Sequence, residues 1–400
     1  MLSLEKIKKA AETLKEVIRK TDLIYAPALS NDSEIYLKAE NLQVTGSFKV
    51  RGAYAKIAKL PNDKKTKGII ACSAGNHAQG VALSAQKSGV ASKIFIPSTA
   101  PLSKIEATKK YGAEIELVDG VYDDAYKAAC EYKKITGAEF IHPFDDEDVI
   151  AGQGTIALEL LEQLPEIDAV IVPIGGGGLI SGIAYTIKML KPDCKVYGVQ
   201  AQGAGSMFHS IEINKRTELP KVSTFADGTA VKMPGELTFD ICQKYVDKIV
   251  TVSDDEIATA ILTLMEKQKL VAEGAGALSV AAAIFKKLPI EGKKAVCVVS
   301  GGNIDVNILS RVINRGLLKS GRLCELTIEM LDKPGQLKEV SQIIADLGAN
   351  VIRVHHKQGG EGTDINDCYL KISMETRNLR HFLSIKHALM NAGYNVTSVN

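Results

Sequence analysis

Gly68-Ile69-Ile70-Ala71-Cys72-Ser73-Ala74-Gly75-Asn76-His77 joins an apolar run to an abrupt polar break that contains a glycine. The run from residue 68 to 72 is typical of a fully buried strand, and the residues after the break favour a helix as far as residue 89. The same alternation of apolar strand and helix recurs along the chain as far as residue 299. We therefore predict an α/β fold in which a parallel sheet is covered by helices on both faces.

The two ends of the chain depart from this alternation. Residues 1–20 have apolar side chains at helical spacing and are predicted to form an amphipathic helix. After Arg322 the order becomes β-α-β-β-α-β, with a glycine-rich hairpin at Gly359–Gly362 and a last strand that reaches Val399. This order predicts a ferredoxin-like module over residues 322–400, after a first domain over residues 1–320.

The composition excludes several classes of function. The 400 residues are 46% hydrophobic and carry a net charge of +2, which gives no electrostatic argument for nucleic acid or a membrane as a partner. No apolar run reaches the ~18 residues of a spanning helix, and the N-terminus has no signal-peptide core. The seven cysteines are scattered without a CxxC pair, so we expect mostly buried free thiols and a cytoplasmic protein.

Lys49 is the first candidate for covalent chemistry. It lies in Thr45-Gly46-Ser47-Phe48-Lys49, at the start of a predicted helix for which Ser47 or Thr45 is the expected N-cap. The helix dipole disfavours a cation there, and an apolar pocket would lower the pKa of the amine further. A neutral amine can form a Schiff base. Most lysines are solvated surface charges, so this stretch alone leaves both interpretations open.

Four consecutive glycines, Gly175–Gly178, follow a buried strand and open a helix. Backbone N–H groups at such a place can converge on a phosphate, although a tight strand–helix turn is the alternative. A dinucleotide fits less well, because the run has no GxGxxG register and the next strand ends in Gln200 instead of an acid.

Other polar candidates also follow predicted strands, where open α/β sheets bind ligands. Asn76 offers a donor and an acceptor beside a glycine, whereas His77 is expected to be structural. Ser300 ends a further strand, and Glu273 precedes a glycine- and alanine-rich segment in which an acid needs a polar partner. No cluster has zinc-like spacing, and we predict no metal site. Pyridoxal phosphate matches the set: its aldehyde suits Lys49, its phosphate the glycines, its ring hydroxyl Asn76 and its ring nitrogen Ser300.

The segments Gly46–Ala53, Ser73–Gly80, Gly175–Leu179 and Ser300–Asn303 resemble the motifs of fold-type II pyridoxal-phosphate enzymes, and within these the threonine ammonia-lyases (threonine dehydratases). The resemblance covers residues 1–320. It implies a tryptophan synthase β-like fold of two open α/β subdomains, with a smaller one (about residues 52–150) inserted in the larger. Residues 322–400 are similar to an ACT domain, a regulatory module that binds amino acids.

The resemblance implies roles for individual residues. Lys49 would be the Schiff-base lysine and proton shuttle. The cofactor would be contacted by Phe48, Asn76, Gly175, Gly176, Gly177, Gly178, Leu179, Glu273 and Ser300. The substrate carboxylate would bind at Ser73, Ala74, Gly75 and His77. The implied reaction is β-elimination, which converts L-threonine to 2-oxobutanoate and ammonia as the first step of isoleucine biosynthesis, or L-serine to pyruvate.

Two departures separate this chain from serine racemases, which the resemblance leaves as an alternative. Serine racemases carry a second serine at the position of Ala74, where its hydroxyl acts as a base on the opposite face of the substrate. They also carry acids that bind a divalent cation at the positions of Gln200 and Ser206. The departures favour elimination without a cation.

For the second module the resemblance implies inhibition by isoleucine or another amino acid. We expect the effector at Asp332, Pro334, Gly335, Gln336 and Leu337, around a helix N-terminus that would bind its carboxylate. A module that only pairs subunits is the alternative, and a dimer or tetramer is expected.

Two other functions of the whole chain also remain open, a serine dehydratase and an amino-acid sensor with an inactive lyase domain.

Overall fold

A computed structural model describes residues 1–358 and 366–398. The predicted hairpin at Gly359–Gly362 and Val399 lie outside the described residues. The chain forms two compact units, Met1–Ile308 and Leu309–Asn400, so the division falls earlier than the predicted one between residues 320 and 322. The predicted roles of these two parts remain predictions.

The strands are β1 Leu23–Tyr25, β2 Glu34–Lys38, β3 Ile69–Cys72, β4 Ser92–Pro97, β5 Glu114–Val118, β6 Glu139–Phe140, β7 Ala169–Pro173, β8 Lys195–Ala201, β9 Lys248–Val252, β10 Lys294–Val298, β11 Leu323–Leu331, β12 Asn350–Gln358, β13 Asp367–Glu375 and β14 Asn395–Ser398. The α-helices are α1 Leu4–Leu14, α2 Lys49–Ala58, α3 Asn62–Lys65, α4 Asn76–Ser88, α5 Leu102–Lys109, α6 Tyr122–Thr136, α7 Glu147–Gln163, α8 Gly178–Leu190, α9 Ser206–Glu212, α10 Glu236–Tyr245, α11 Asp254–Thr263, α12 Gly274–Ile284, α13 Val306–Lys319, α14 Gln336–Asp346 and α15 Leu379–Asn391.

The larger sheet of the first unit has the order β1-β2-β10-β7-β8-β9 and is parallel except for β1, which pairs antiparallel with β2. Val296 and Val298 of β10 pack with residues of α7 and α8 on one face. Between them in sequence, Cys297 points to the other face, where its thiol contacts the backbone of Ser279 in α12. The prediction of a parallel sheet covered on both faces is confirmed.

The smaller sheet of the first unit has the order β5-β4-β3-β6 and is entirely parallel. Ile69 and Ala71 of β3 pack against α2 and α4, whereas Ile70 and Cys72 pack against α6. Side chains alternate along a strand, so this apolar strand buries both of its faces. The polar loop after Cys72 begins at the carboxyl end of this strand and so lies at the edge of the sheet.

Helices α2 and α7 cross in direct backbone contact. A Cβ atom at Gly152 would lie 2.4 Å from the carbonyl oxygen of Arg51, and one at Gly52 would lie 2.8 Å from the carbonyl oxygen of Val149. Only glycine permits this close approach of the two backbones, which sets the position of α2 against α7.

The second unit has the β-α-β-β-α-β order and an antiparallel sheet in the order β12-β13-β11-β14. Alternate residues of β11 and β13 are buried against α14 and α15. This is the ferredoxin-like arrangement expected from the sequence.

Some local predictions are wrong. The first helix stops at Leu14 because Val17 and Ile18 turn to pack with Val50 and Leu83. The residue before α2 is Phe48, and it provides no side-chain cap.

The prediction of Ser47 or Thr45 as the N-cap is wrong, because the backbone just before α2 pairs with another segment of the chain. Ser47 pairs with Gly301, and the N–H of Phe48 donates to the carbonyl oxygen of Ser300 at 3.1 Å.

The sequence analysis predicts no helix over residues 274–284, where the structure has α12, which begins with glycines. The structure needs one of them there, since a Cβ at Gly276 would lie 2.2 Å from the carbonyl oxygen of Gly301. The predicted free cysteines are confirmed, and all but Cys130 are buried. Among the described residues, no helix is long and apolar enough to cross a membrane.

Candidate active site

A cavity of about 850 Å³ opens in the first unit at the carboxyl ends of strands from both sheets. This volume is within the range of small-molecule sites. Every residue predicted for cofactor or substrate lines it: Phe48, Lys49, Ser73, Ala74, Gly75, Asn76, His77, Gly175, Gly176, Gly177, Gly178, Leu179, Glu273 and Ser300. The structure therefore brings these residues together, while their individual roles remain predictions.

Lys49 is the first residue of α2, and its amine donates to the carbonyl oxygen of Pro143 at 2.8 Å. Burial lowers the pKa of this amine to about 8, although the carboxyl of Glu273 opposes the shift. The Phe48 ring lies beside it, with its centroid 5.3 Å from the nitrogen. A lysine with this pKa is neutral in about a tenth of the molecules at pH 7, enough to react as a nucleophile.

The loop after β3 presents the N-terminus of α4 to the cavity. Asn76 and His77 begin the helix, and N–H groups in a first turn have no intrahelical acceptor. They are available to a carboxylate.

The His77 ring is bound to the carbonyl oxygen of Ile141 at 2.8 Å, and burial lowers its pKa to about 3. A neutral, anchored imidazole fits the structural role expected for it.

The glycine run, between β7 and α8, also lines this cavity. Gly177 has φ +102°, a conformation that favours glycine, and a Cβ at Gly176 would lie 2.4 Å from the Phe144 ring. Within the described residues, the N–H groups of Gly175, Gly176 and Gly177 find no protein acceptor. Unpaired N–H groups before a helix of this length are able to bind an anion, so the binding of a phosphate by these glycines remains a prediction.

Asn76 belongs to a chain of hydrogen bonds across the cavity wall. Its amide donates to Glu273 Oε1 at 2.6 Å, and its Oδ1 accepts from Asn303 Nδ2 at 2.8 Å. Asn303 also donates to the carbonyl oxygen of Thr45 at 2.8 Å. Burial, and then the charge of Asp227, raises the pKa of Glu273 to about 7.

Asn303 was missed as a site residue, although it stands in the quoted Ser300–Asn303 motif. Sequence also gave no signal for the ion pair between Lys104 and Asp227, which both line the cavity. These two residues come from α5 and from a short turn at residues 227–229, and only the fold makes them neighbours.

Gln200 is fully buried and binds its own loop. Its Oε1 accepts from the N–H of Phe208 at 2.7 Å, and its amide donates to the carbonyl oxygen of Ala204 at 3.2 Å. The predicted lack of a cation at Gln200 and Ser206 remains a prediction, and these contacts are consistent with it.

The residues predicted for the effector lie in the second unit, at the turn between β11 and α14. Gly335 is the N-cap of α14 with φ +100°, and Asp332, Pro334 and Leu337 are exposed, whereas Gln336 is half-buried. Of the five, Gly335 lines a cavity of about 580 Å³, which also involves Lys338, Glu339, Gln342, Ile343, Ala392 and Tyr394.

Pyridoxal phosphate fits the cavity of the first unit on three observations. The Lys49 amine has a lowered pKa, the glycine N–H groups lack acceptors, and Ser300 lines the same cavity at the end of β10.

Residues 14–301 match the family described as pyridoxal-phosphate dependent enzyme, and the chain belongs to this family. Its cofactor is pyridoxal phosphate. Over the full length of both chains it is 49% identical to the L-threonine ammonia-lyase of Thermotoga maritima.

Two solved structures are also similar. The processed threonine deaminase isoform 2 of Solanum lycopersicum has a TM-score of 0.74 and 38% identity, covering 78% of this chain and 89% of that one. Maize serine racemase has a TM-score of 0.75 and 35% identity, covering 79% and 98%. The fold alone therefore does not separate the lyase from the racemase.

Proposed function

We propose that this chain is a threonine ammonia-lyase, which converts L-threonine to 2-oxobutanoate and ammonia and also accepts L-serine. The observation that carries the proposal is the half-buried Lys49, whose amine has its pKa lowered to about 8, in the same cavity as the glycine N–H groups that lack a protein acceptor among the described residues. The 49% identity to an L-threonine ammonia-lyase, over the whole of both chains, supports this substrate.

Different residues of the cavity would bind different parts of the cofactor and the substrate. Lys49 would bind the aldehyde of the cofactor, Gly175–Gly178 its phosphate and Ser300 its ring nitrogen. The bound cofactor supplies an aldehyde and a ring that accepts the electron pair left at the substrate Cα. The free N–H groups at the start of α4 would hold the substrate carboxylate.

Proton transfer then falls to Lys49. Its nitrogen would remove the Cα proton, and the β-hydroxyl would take up one proton and leave as water, so that the elimination involves no net loss of a proton. The released enamine is hydrolysed to 2-oxobutanoate and ammonia. Ser300 is uncharged and so does not stabilise a lingering carbanion, which favours prompt loss of the hydroxyl. Ala74 offers no hydroxyl that could return a proton to the opposite face, which favours elimination over racemisation.

The test of the catalytic proposal is 2-oxo acid production from L-threonine and L-serine. We expect Lys49→Ala to lose turnover together with the absorbance of the lysine-bound cofactor. Lys56→Ala is the matched control, because Lys56 lies on the same helix but pairs with Asp146 at 2.7 Å outside the cavity. Retention of both signals in Lys49→Ala would refute the proposal.

A racemase would instead give D-serine from L-serine, which chiral analysis of the product detects. An inactive amino-acid sensor would give neither 2-oxo acid nor D-serine.

Regulation by isoleucine at the second unit is the further part of the proposal, with a role in isoleucine biosynthesis and assembly into a dimer or tetramer. The glycine N-cap of α14 and the exposed side chain of Leu337 support an effector site at this turn. We expect Leu337→Ala to weaken the response to isoleucine without changing basal activity. Leu383→Ala, at a similarly exposed position on α15, is the control. An unchanged rate and thermal stability in isoleucine would favour a purely structural module.

A further inference from the structure

Three potential metal ligands meet in the second unit, far apart in sequence. Asp332 follows β11, His356 lies on β12 and Cys368 lies on β13. One ligand atom from each lies within 4.8 Å of the other two. We call these three residues the Asp332–His356–Cys368 cluster. None of them lines the cavity of the first unit or the smaller cavity beside α14.

The register of the sheet creates this cluster. Cys368 on the central strand β13 pairs with Met330 of β11 on one side and with Gln358 of β12 on the other. His356 precedes Gln358 by two residues and so points to the same face. The chain leaving β11 then places Asp332 over that face, where its N–H donates to the carbonyl oxygen of Asn366 at 2.8 Å.

The two oxygens of the Asp332 carboxylate have different neighbours. Gln358 Nε2 donates to Asp332 Oδ2 at 3.1 Å, while Oδ1 faces His356 Nε2 at 3.9 Å. A hydrogen-bonded pair would bring the last two atoms to about 2.8 Å. Tetrahedral zinc, with bonds of about 2.0 to 2.3 Å, separates its ligand atoms by roughly 3.3 to 3.7 Å. The observed distance of 3.9 Å is therefore closer to that of two ligands of one ion, and binding would draw in the third ligand atom, which lies within 4.8 Å of the other two.

Contrary to the sequence-based prediction of no metal site, we propose that the Asp332–His356–Cys368 cluster binds Zn²⁺, with water in the fourth position. Thiolate, imidazole and carboxylate are the donors that zinc uses in proteins, and a thiolate disfavours Mg²⁺ and Ca²⁺. Cys368 is fully buried, whereas the side chains of Asp332 and His356 are 39% and 45% exposed, so an ion can enter from solvent. The inference goes beyond the proposed function and does not depend on it.

Such an ion would tie both neighbouring strands to the turn that starts at Asp332. Gln358 would act as the supporting residue that orients one ligand, as outer-shell groups commonly do. Because this turn also carries the residues predicted for the effector, the metal site is tested by metal binding itself and not by the response to isoleucine.

The experiment is equilibrium dialysis of the full chain, loaded with cofactor and stripped with a chelator, against Zn²⁺ alone. We expect one Zn²⁺ per chain, and a loss of affinity of at least ~10-fold in His356→Ala and in Cys368→Ser. His355→Ala is the control for the first variant, because His355 is the neighbouring residue on β12 and points to the opposite face. Cys324→Ser is the control for the second, because Cys324 is buried in the same core beside Thr376.

Binding of Co²⁺ gives a second readout. The wild type and both controls should show thiolate-to-cobalt charge-transfer absorption in a difference spectrum, and Cys368→Ser should not. Equal zinc affinity in the wild type and His356→Ala would overturn the proposal, as would a stoichiometry well below one. If Cys368→Ser does not fold, the exposed His356→Ala decides the question alone.

Discussion

Replacing Arg51 with methionine should destabilise the first unit by about 3–5 kcal/mol, because the change leaves a buried charge without its partner. Arg51 is fully buried, two residues after Lys49. Its guanidinium donates to both carboxylate oxygens of Glu40 at 2.8 Å and to Glu159 at 2.6 and 3.0 Å. Glu40 is itself fully buried, and its other hydrogen bond comes from Thr21 at 2.6 Å.

The pKa of Glu40 shows the direction in which its charge depends on Arg51. Burial would raise this pKa, but the Arg51 guanidinium, together with the charge of Lys38 and the hydroxyl of Thr21, outweighs burial and holds the pKa below its ordinary value. Stability from this pair is therefore present above the ordinary pKa of a glutamate and is lost as the pH falls through the lowered value. Without Arg51 the burial effect remains, and only the charge of Lys38 and the hydrogen bond from Thr21 still favour the charged form, so Glu40 must either take up a proton or stay charged with much weaker compensation.

The assay is urea unfolding of the cofactor-free chain at pH 7. A loss of 3–5 kcal/mol is a large part of the stability of an ordinary domain, about 5–15 kcal/mol. The double variant Arg51→Met with Glu40→Gln should recover part of the loss, because the stranded charge is gone. Lys56→Met, which breaks a more exposed pair with Asp146, should cost no more than about 1 kcal/mol. If Arg51→Met cost as little as Lys56→Met, the reasoning would be refuted.

Three other predictions concern the cavity. Because burial lowers the pKa of Lys49 to about 8, the folded chain binds fewer protons than the unfolded one between pH 8 and the ordinary lysine value; stability should rise with pH there, and Lys49→Met should remove that rise in unfolding curves. Glu273→Gln should lower the pKa of Lys49 further, since Glu273 raises it, and should shift the pH dependence of cofactor recombination to lower pH; an unshifted profile would count against their coupling. Gly177→Ala should weaken cofactor binding and lower stability more than Gly89→Ala, because both glycines have positive φ but only a Cβ at Gly177 meets Thr238 at 2.7 Å; equal losses would show that steric contact is unimportant.

Much of the fold follows from local sequence. Apolar runs bounded by glycine or proline mark the parallel strands, and the capping box at Ser253 and Glu256 marks the start of α11, with both of its hydrogen bonds formed. The start of α2 does not follow from such rules. Ser47 is a good N-cap residue, yet its hydroxyl is buried and has no hydrogen-bond partner among the described residues, because the backbone there is committed to Gly301.

The sequence by itself determined the class of fold and the cofactor, and it predicts Lys49 as the lysine that reacts with this cofactor. The fold class follows because local sequence marks the apolar strands and the helices between them, and open α/β sheets bind ligands at the carboxyl ends of such strands. Two contacts are set only by the tertiary structure. The amine of Lys49 donates a hydrogen bond to the carbonyl oxygen of Pro143, and the amide of Asn303 donates to both Asn76 and Thr45.

The same is true of the Asp332–His356–Cys368 cluster. Its members are spread over three segments, and no spacing within one segment predicts their meeting. The pairing of β13 with β11 on one side and β12 on the other brings them together, and that register is a property of the folded sheet.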